Sequence, residues 1–195
     1  GSQEELAKRY NEWAKDYDSD LERDFGWNGH VVATEVFAKY VSSDARVIDV
    51  GVGTGLVGFE LIKRGFSLLD GFDLSQGMLD EAKVKGWYRS LQIGVLGKPL
   101  GYSDNTYDAA ISTGVFTQGH APASGFDEVL RIVKPGGYFV YTIRPEIYEA
   151  DGFKTKEESL VASDKIRVVE TSDLYAFLPK GEPDVLHRVH VYQLL

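Results

Sequence analysis

Residues Val47-Ile48-Asp49-Val50-Gly51-Val52-Gly53-Thr54-Gly55 constrain this chain more than any other stretch. An apolar run that ends in alternating glycines reads as a buried parallel strand turning sharply into a helix. Glycine is dense where a backbone must bend or approach a ligand closely. The stretch is therefore expected to floor a nucleotide-type pocket, and it can be read in two registers. Gly53 to Gly58 satisfies G-x-G-x-x-G, with Asp73 about 20 residues on, as a dinucleotide site requires. The other register begins at Gly51 and places Asp49 inside the end of the strand. A carboxylate there is costly unless a cation or hydrogen-bond donors face it, which the dinucleotide register does not supply.

The segments on either side set the fold class. Residues 4 to 16 carry Leu6, Tyr10, Trp13 and Ala14 at helical spacing and end at the turn-forming Tyr17-Asp18-Ser19-Asp20. A second helix is expected over 29–40. Strands are expected at 46–50, 68–73, 90–95, 107–113 and 138–143. Between them lie helices at 56–64, closed by Gly65, at 76–85, capped by Ser75, and at 125–133, broken by Lys134-Pro135-Gly136-Gly137. Strands alternating with helices call for parallel βαβ units and a Rossmann-like, doubly wound, mostly parallel sheet with helices on both faces. The tail departs from this rhythm. After a polar helix at 154–163 come strands at 166–170 and 187–194 joined without a helix, which predicts an antiparallel C-terminal pair finishing the sheet.

At 195 residues the chain fits one α/β domain. Residues 3–42, 45–143 and 144–195 are expected to be its N-terminal helical part, its core and its C-terminal region. A net charge of −9 without a Lys/Arg cluster disfavours a polyanionic partner such as nucleic acid and favours a small molecule. No apolar stretch approaches the roughly 20 residues of a membrane span, and there are no cysteines for disulfides or thiolate metal sites. A cytoplasmic monomer or homodimer is expected. Gly1-Ser2 reads as a cleavage remnant.

Four segments then converge. They are the glycine stretch with Asp49, the acid-ended strand Gly71-Phe72-Asp73-Leu74-Ser75 followed by Met78-Leu79, Asp104-Asn105-Thr106-Tyr107-Asp108-Ala109, and Glu128-Val129-Leu130-Arg131-Ile132-Val133-Lys134-Pro135-Gly136-Gly137. In order and spacing they resemble the class I S-adenosylmethionine-dependent methyltransferases, and Tyr10, Trp13 and Tyr17-Asp18 are similar to the lid of the small-molecule enzymes in that family. The resemblance implies S-adenosylmethionine as cofactor, residues 3–42 as lid, 45–143 as cofactor-binding core and 144–195 as substrate side, and a set of roles. Gly51, Gly53 and Gly55 lie against its methionyl and ribose parts, and Asp73 accepts from the two ribose hydroxyls. Leu74 and Met78 flank the adenine. Leu96 stands where many relatives have an aspartate, so backbone groups of Leu96 and Gly97 serve there. Thr113 and Gly114 lie near the methionyl part, and Tyr17 closes from the lid. Asp49 faces the ammonium, or else holds the glycine loop.

His120 follows the fourth strand, where donor and acceptor meet, and is the candidate general base. His30, His187 and His190 lack the mutual spacing of a metal site and read as structural. Tyr148, Phe153, Tyr175 and Phe177 are candidates for an acceptor pocket or for core. The function expected is methyl transfer to a small molecule by in-line displacement. The alternatives are a nicotinamide oxidoreductase and a non-catalytic cofactor-binding protein.

Overall fold

The computed structural model describes residues 3–13, 28–117 and 121–195. Helices α1 (Gln3–Trp13) and α2 (Gly29–Tyr40) precede the sheet. There follow β1 (Val47–Val50), α3 (Leu56–Lys63), β2 (Leu69–Asp73), α4 (Gln76–Lys85), β3 (Ser90–Ile93), β4 (Tyr107–Ser112), α5 (Phe126–Ile132) and β5 (Val133–Ile143). The chain finishes with α6 (Pro145–Ala150), α7 (Phe153–Ala162), β6 (Ile166–Thr171), β7 (Tyr175–Leu178) and β8 (Glu182–Leu194). The sheet order is β3-β2-β1-β4-β5-β8-β6, with β7 paired to β8. Strands β1 to β5 are parallel. Strand β8 runs antiparallel to β5, β6 and β7. The expected doubly wound sheet with an antiparallel finish is what forms.

Strand β1 is buried at all four positions because it lies in the middle of the sheet with a core on each face. On one face Ala33, Phe37, Val57, Leu61 and Val189 pack together. On the other, Phe116, Phe126, Phe139, Tyr141, Phe153 and Tyr192 form an aromatic cluster. Its ring pairs include Phe116–Phe126 at 5.0 Å and 80° and Phe126–Phe139 at 5.3 Å and 86°, the edge-to-face arrangement that aromatic quadrupoles favour. Phe153 therefore belongs to this core.

Three expectations change. The Lys134-Pro135-Gly136-Gly137 break is a bulge inside β5: Tyr107 pairs with Val133 and Ala109 next with Tyr138. Gly137 is needed there because a Cβ would stand 2.4 Å from the carbonyl oxygen of Asp108. Helix α6 was not anticipated, although Pro145 sits at its start, where proline's fixed φ suits a first turn. The last strand is longer than 187–194, because residues 182–187 continue it into a hairpin with β7. The turn expected at 17–20 and the end of the first helix lie outside the described residues.

Candidate functional site

Strand order reverses between β1 and β4, so their carboxyl ends leave a crevice, the place where open α/β sheets hold ligands. Gly51, Gly53 and Gly55 line it. Gly51 has φ +77°, and a Cβ there would stand 2.3 Å from Cγ2 of Val115, so only glycine admits both the turn and that neighbour. Gly55, with φ +98°, is the N-cap of α3. Among the described residues, the two chain neighbours of Gly53 aside, no heavy atom lies within 4 Å of where a Cβ on Gly53 would be. Asp73 holds the loop at this point: its Oδ2 accepts from the Gly53 amide at 2.8 Å and its Oδ1 accepts from the Ser75 amide at 2.9 Å. Each carboxylate oxygen keeps a further lone pair. Burial raises the Asp73 pKa, against the pull of these amides.

Asp49 is 1% exposed. Its Oδ2 accepts a 2.5 Å hydrogen bond from the hydroxyl of Tyr88, which itself accepts from the Gly58 amide at 3.0 Å. Its Oδ1 is buried with no hydrogen-bond partner among the described residues. Burial pushes the Asp49 carboxyl up to about 7; the Tyr88 hydrogen bond lowers it in part and the neighbouring Asp73 adds to the rise. The glycine loop does not donate to Asp49, so the structural alternative for this residue runs through Tyr88 instead. An orphaned acidic oxygen beside an open glycine cradle fits a ligand with a cationic group and vicinal hydroxyls.

The adenine-side residues divide. Leu74 is half-buried, whereas Met78 is 2% exposed and belongs to the packing under α4. The Leu96 side chain is also core, which leaves the backbone of Leu96 and Gly97 as the groups available there. Gly97 has φ +93°. Across the crevice Thr113 is buried, and the Gly114 amide donates to Oγ1 of Thr142 at 2.9 Å. Tyr17 and His120 lie outside the described residues. His30 packs by Glu60, 3.8 Å away, and His190 is stacked between Tyr141 and Tyr148, at 5.2 and 4.9 Å, beside Glu157. Among the described residues no cluster of three metal-ligating side chains occurs.

Two residues escaped the sequence reading. Tyr88 is one, and Gly58 was its signal: a glycine inside a helix usually marks a close neighbour, and a Cβ there would stand 2.6 Å from the Tyr88 hydroxyl oxygen. Gly58 is thus explained by Tyr88, not by a phosphate, which removes the dinucleotide register's third glycine as evidence for that ligand. Asn11 is the other. Its Oδ1 accepts from the Gly77 amide at 2.6 Å and from the Ser75 hydroxyl, fastening α1 to the start of α4.

A family described as a methyltransferase domain matches residues 48–141. Methyltransferase-like protein 27 of Homo sapiens is 35% identical over 139 residues, which are 69% of this chain and 56% of that protein. A demethylmenaquinone methyltransferase of Corynebacterium kroppenstedtii is 42% identical over 95 residues, 47% of this chain and 38% of that one. The chain spans about half the length, or less, of these relatives. Among solved structures the cyclase SpnF superposes with a TM-score of 0.74 at 16% identity, over 100% of this chain and 97% of that one. At that identity the likeness is one of fold alone.

Proposed function

This chain belongs to the class I S-adenosylmethionine-dependent methyltransferases, and from that premise we propose that it transfers the cofactor's methyl group to a small-molecule acceptor by in-line displacement. The observation that carries the reading is the crevice at the β1/β4 switch, where Asp49 and Asp73 flank a glycine cradle with open space at Gly53. When bound, the sulfonium supplies the electrophilic methyl group.

The chain's own residues hold and align. Asp73 takes the ribose hydroxyls with the lone pairs its two amide bonds leave over. Asp49 offers to the ammonium its Oδ1, which has no hydrogen-bond partner among the described residues. The start of α3 after Gly55 gives backbone donors to a carboxylate. Backbone groups of Leu96 and Gly97, with Leu74, face the adenine, and Thr113 and Gly114 border the methionyl part. Tyr17 closes over the cofactor and His120 receives the acceptor's proton in this reading. The chemistry asks chiefly for alignment and exclusion of water, so one base suffices for a hydroxyl or amine acceptor. The net charge of −9 supports a small acceptor over a polyanion.

Calorimetric titration with S-adenosylhomocysteine and, separately, with NAD tests the cofactor. Binding of the first is expected, and NAD binding without it would sink the proposal. Transfer of a labelled methyl group into a metabolite extract separates an enzyme from a pure binder.

A further inference from the structure

Beyond the cofactor crevice, the buried His187 stands beside a second buried polar group, and among the described residues neither has a hydrogen-bond partner at one of its atoms. His187 is 6% exposed, and its Nδ1 meets no hydrogen-bond partner among the described residues. Its neighbour on β7, Tyr175, holds a buried hydroxyl that is equally unpartnered. Two such groups side by side in a native fold call for a reason.

Their place in the sheet offers one. Arg188 pairs with Ile143, the last residue of β5, so His187 stands one step past the carboxyl edge of the parallel strands. Its ring lies 4.3 Å from that of Phe177, and Tyr175 lies 6.5 Å away. Phe177 reaches toward the cofactor side: its ring atoms are 3.5 and 3.6 Å from where a Cβ on Gly114 would be. The next residue, Val115, abuts Gly51 of the glycine loop in the same way. A continuous wall thus runs from the cradle through Val115, Gly114 and Phe177 to His187.

The imidazole is neutral at physiological pH. Burial pushes its pKa down to about 4, the Arg144 guanidinium adds to the drop, and Glu146 opposes it. A group held this low is a poor proton acceptor for catalysis, but a neutral imidazole nitrogen remains a good hydrogen-bonding group.

The geometry points to His187 and Tyr175 as positioning residues of the acceptor pocket, with Phe177 packed behind them between Gly29 and His187, and to an acceptor that is a small molecule carrying a hydroxyl group. The inference rests on the methyltransferase reading above. The two polar atoms without partners among the described residues select an acceptor that can both donate and accept a hydrogen bond. His187, read from sequence as structural, takes a role in recognition.

The test uses the full chain in three steps. S-adenosylhomocysteine binding is first measured on the wild type and on His187→Phe, His187→Asn and Tyr175→Phe; all four are expected to bind it alike. No binding to the wild type overturns the methyltransferase reading and this inference with it. The imidazole nitrogens of His187 are then followed by NMR while 4-hydroxyacetophenone or its methyl ether, 4-methoxyacetophenone, is added to the cofactor-product complex. The hydroxylated probe is expected to shift the His187 Nδ1 resonance and to bind about tenfold more tightly than the ether, the effect of one hydrogen bond. His187→Phe should abolish that preference and His187→Asn, which keeps a polar group near the Nδ1 position, should restore part of it. Bound S-adenosylhomocysteine with a silent His187, or a preference that survives in His187→Phe, overturns the inference. Should His187→Phe fail to fold, the resonance shift and the His187→Asn and Tyr175→Phe affinities decide the matter on their own.

Discussion

The Tyr88 hydroxyl donates to Oδ2 of Asp49 at 2.5 Å, and this one bond ties the end of β1 to the residue that also receives the amide of Gly58 on α3. Asp49 is thereby a buried acid with one satisfied oxygen and one without a hydrogen-bond partner among the described residues.

Its titration sets a pH dependence. The folded carboxyl sits at about 7, above its ordinary value, so the folded state binds the extra proton. The stability this group contributes is present at low pH and is lost as pH rises through about 7. Asp49→Asn should flatten the decline in ligand-free stability between about pH 4 and 7, measured by urea unfolding. Cofactor affinity should move the other way in the wild type, rising with pH up to about 7 as a cationic ligand favours the ionised acid, and should lose that rise in the variant. An unchanged affinity profile in Asp49→Asn would remove the ammonium role.

Gly58→Ala places a Cβ 2.6 Å from the Tyr88 hydroxyl oxygen. A loss of about 1–3 kcal/mol is expected from overpacking. Combining it with Tyr88→Val should recover much of that loss, visible as a coupling in a double-mutant cycle. Additive losses would mean that Gly58 serves something other than Tyr88.

Asn11 fastens α1 to α4, and Gly77 lets it come close: a Cβ on Gly77 would stand 2.9 Å from Cα of Asn11. Asn11→Ala strips an acceptor from the first turn of α4, a change of about 1 kcal/mol. Faster amide exchange over residues 3–9 is expected in both Asn11→Ala and Gly77→Ala, with severalfold weaker S-adenosylhomocysteine binding because α1 is fastened to Ser75, the residue after Leu74. Protection that stays at wild-type levels would show that α1 is held by Leu6 burial alone.

Glu157 accepts from the hydroxyls of Tyr148 at 2.6 Å and Tyr192 at 2.7 Å. Burial alone would raise its pKa, but these hydroxyls and the facing His190 hold it below the usual carboxylate range. Its contribution is therefore present above about pH 4.5 and is lost as pH falls through the folded value. Glu157→Gln should cost about 1–3 kcal/mol at pH 7, with the gap to wild type closing on acidification. A gap independent of pH would assign the loss to packing.

Alternation of apolar strands with helices made the doubly wound sheet readable, and the acid-ended strands singled out Asp49 and Asp73, which the fold sets near one another at the carboxyl ends of β1 and β2. Long-range partners were not, since no local pattern says that Tyr88 reaches back to β1 or that Asn11 reaches forward to α4. Their only trace lay in two helical glycines, Gly58 and Gly77, whose missing side chains make room for what arrives from elsewhere. The β7–β8 hairpin stayed hidden because Lys180-Gly181-Glu182-Pro183-Asp184 reads as loop, and Pro183 argues against strand. Pairing with β7 overrides that signal, and the hairpin sets His187 opposite Tyr175.

Strand β8 sits between β5 and β6 although both are translated before it. As the chain leaves the ribosome, the long β5 has no partner on that side until residues 182–194 emerge. Its backbone donors and acceptors are open for that interval to any other extended strand. The same late insertion brings His187 into place beside β7, so during synthesis the parallel strands β1 to β5 can take shape while β5 still awaits its antiparallel neighbour.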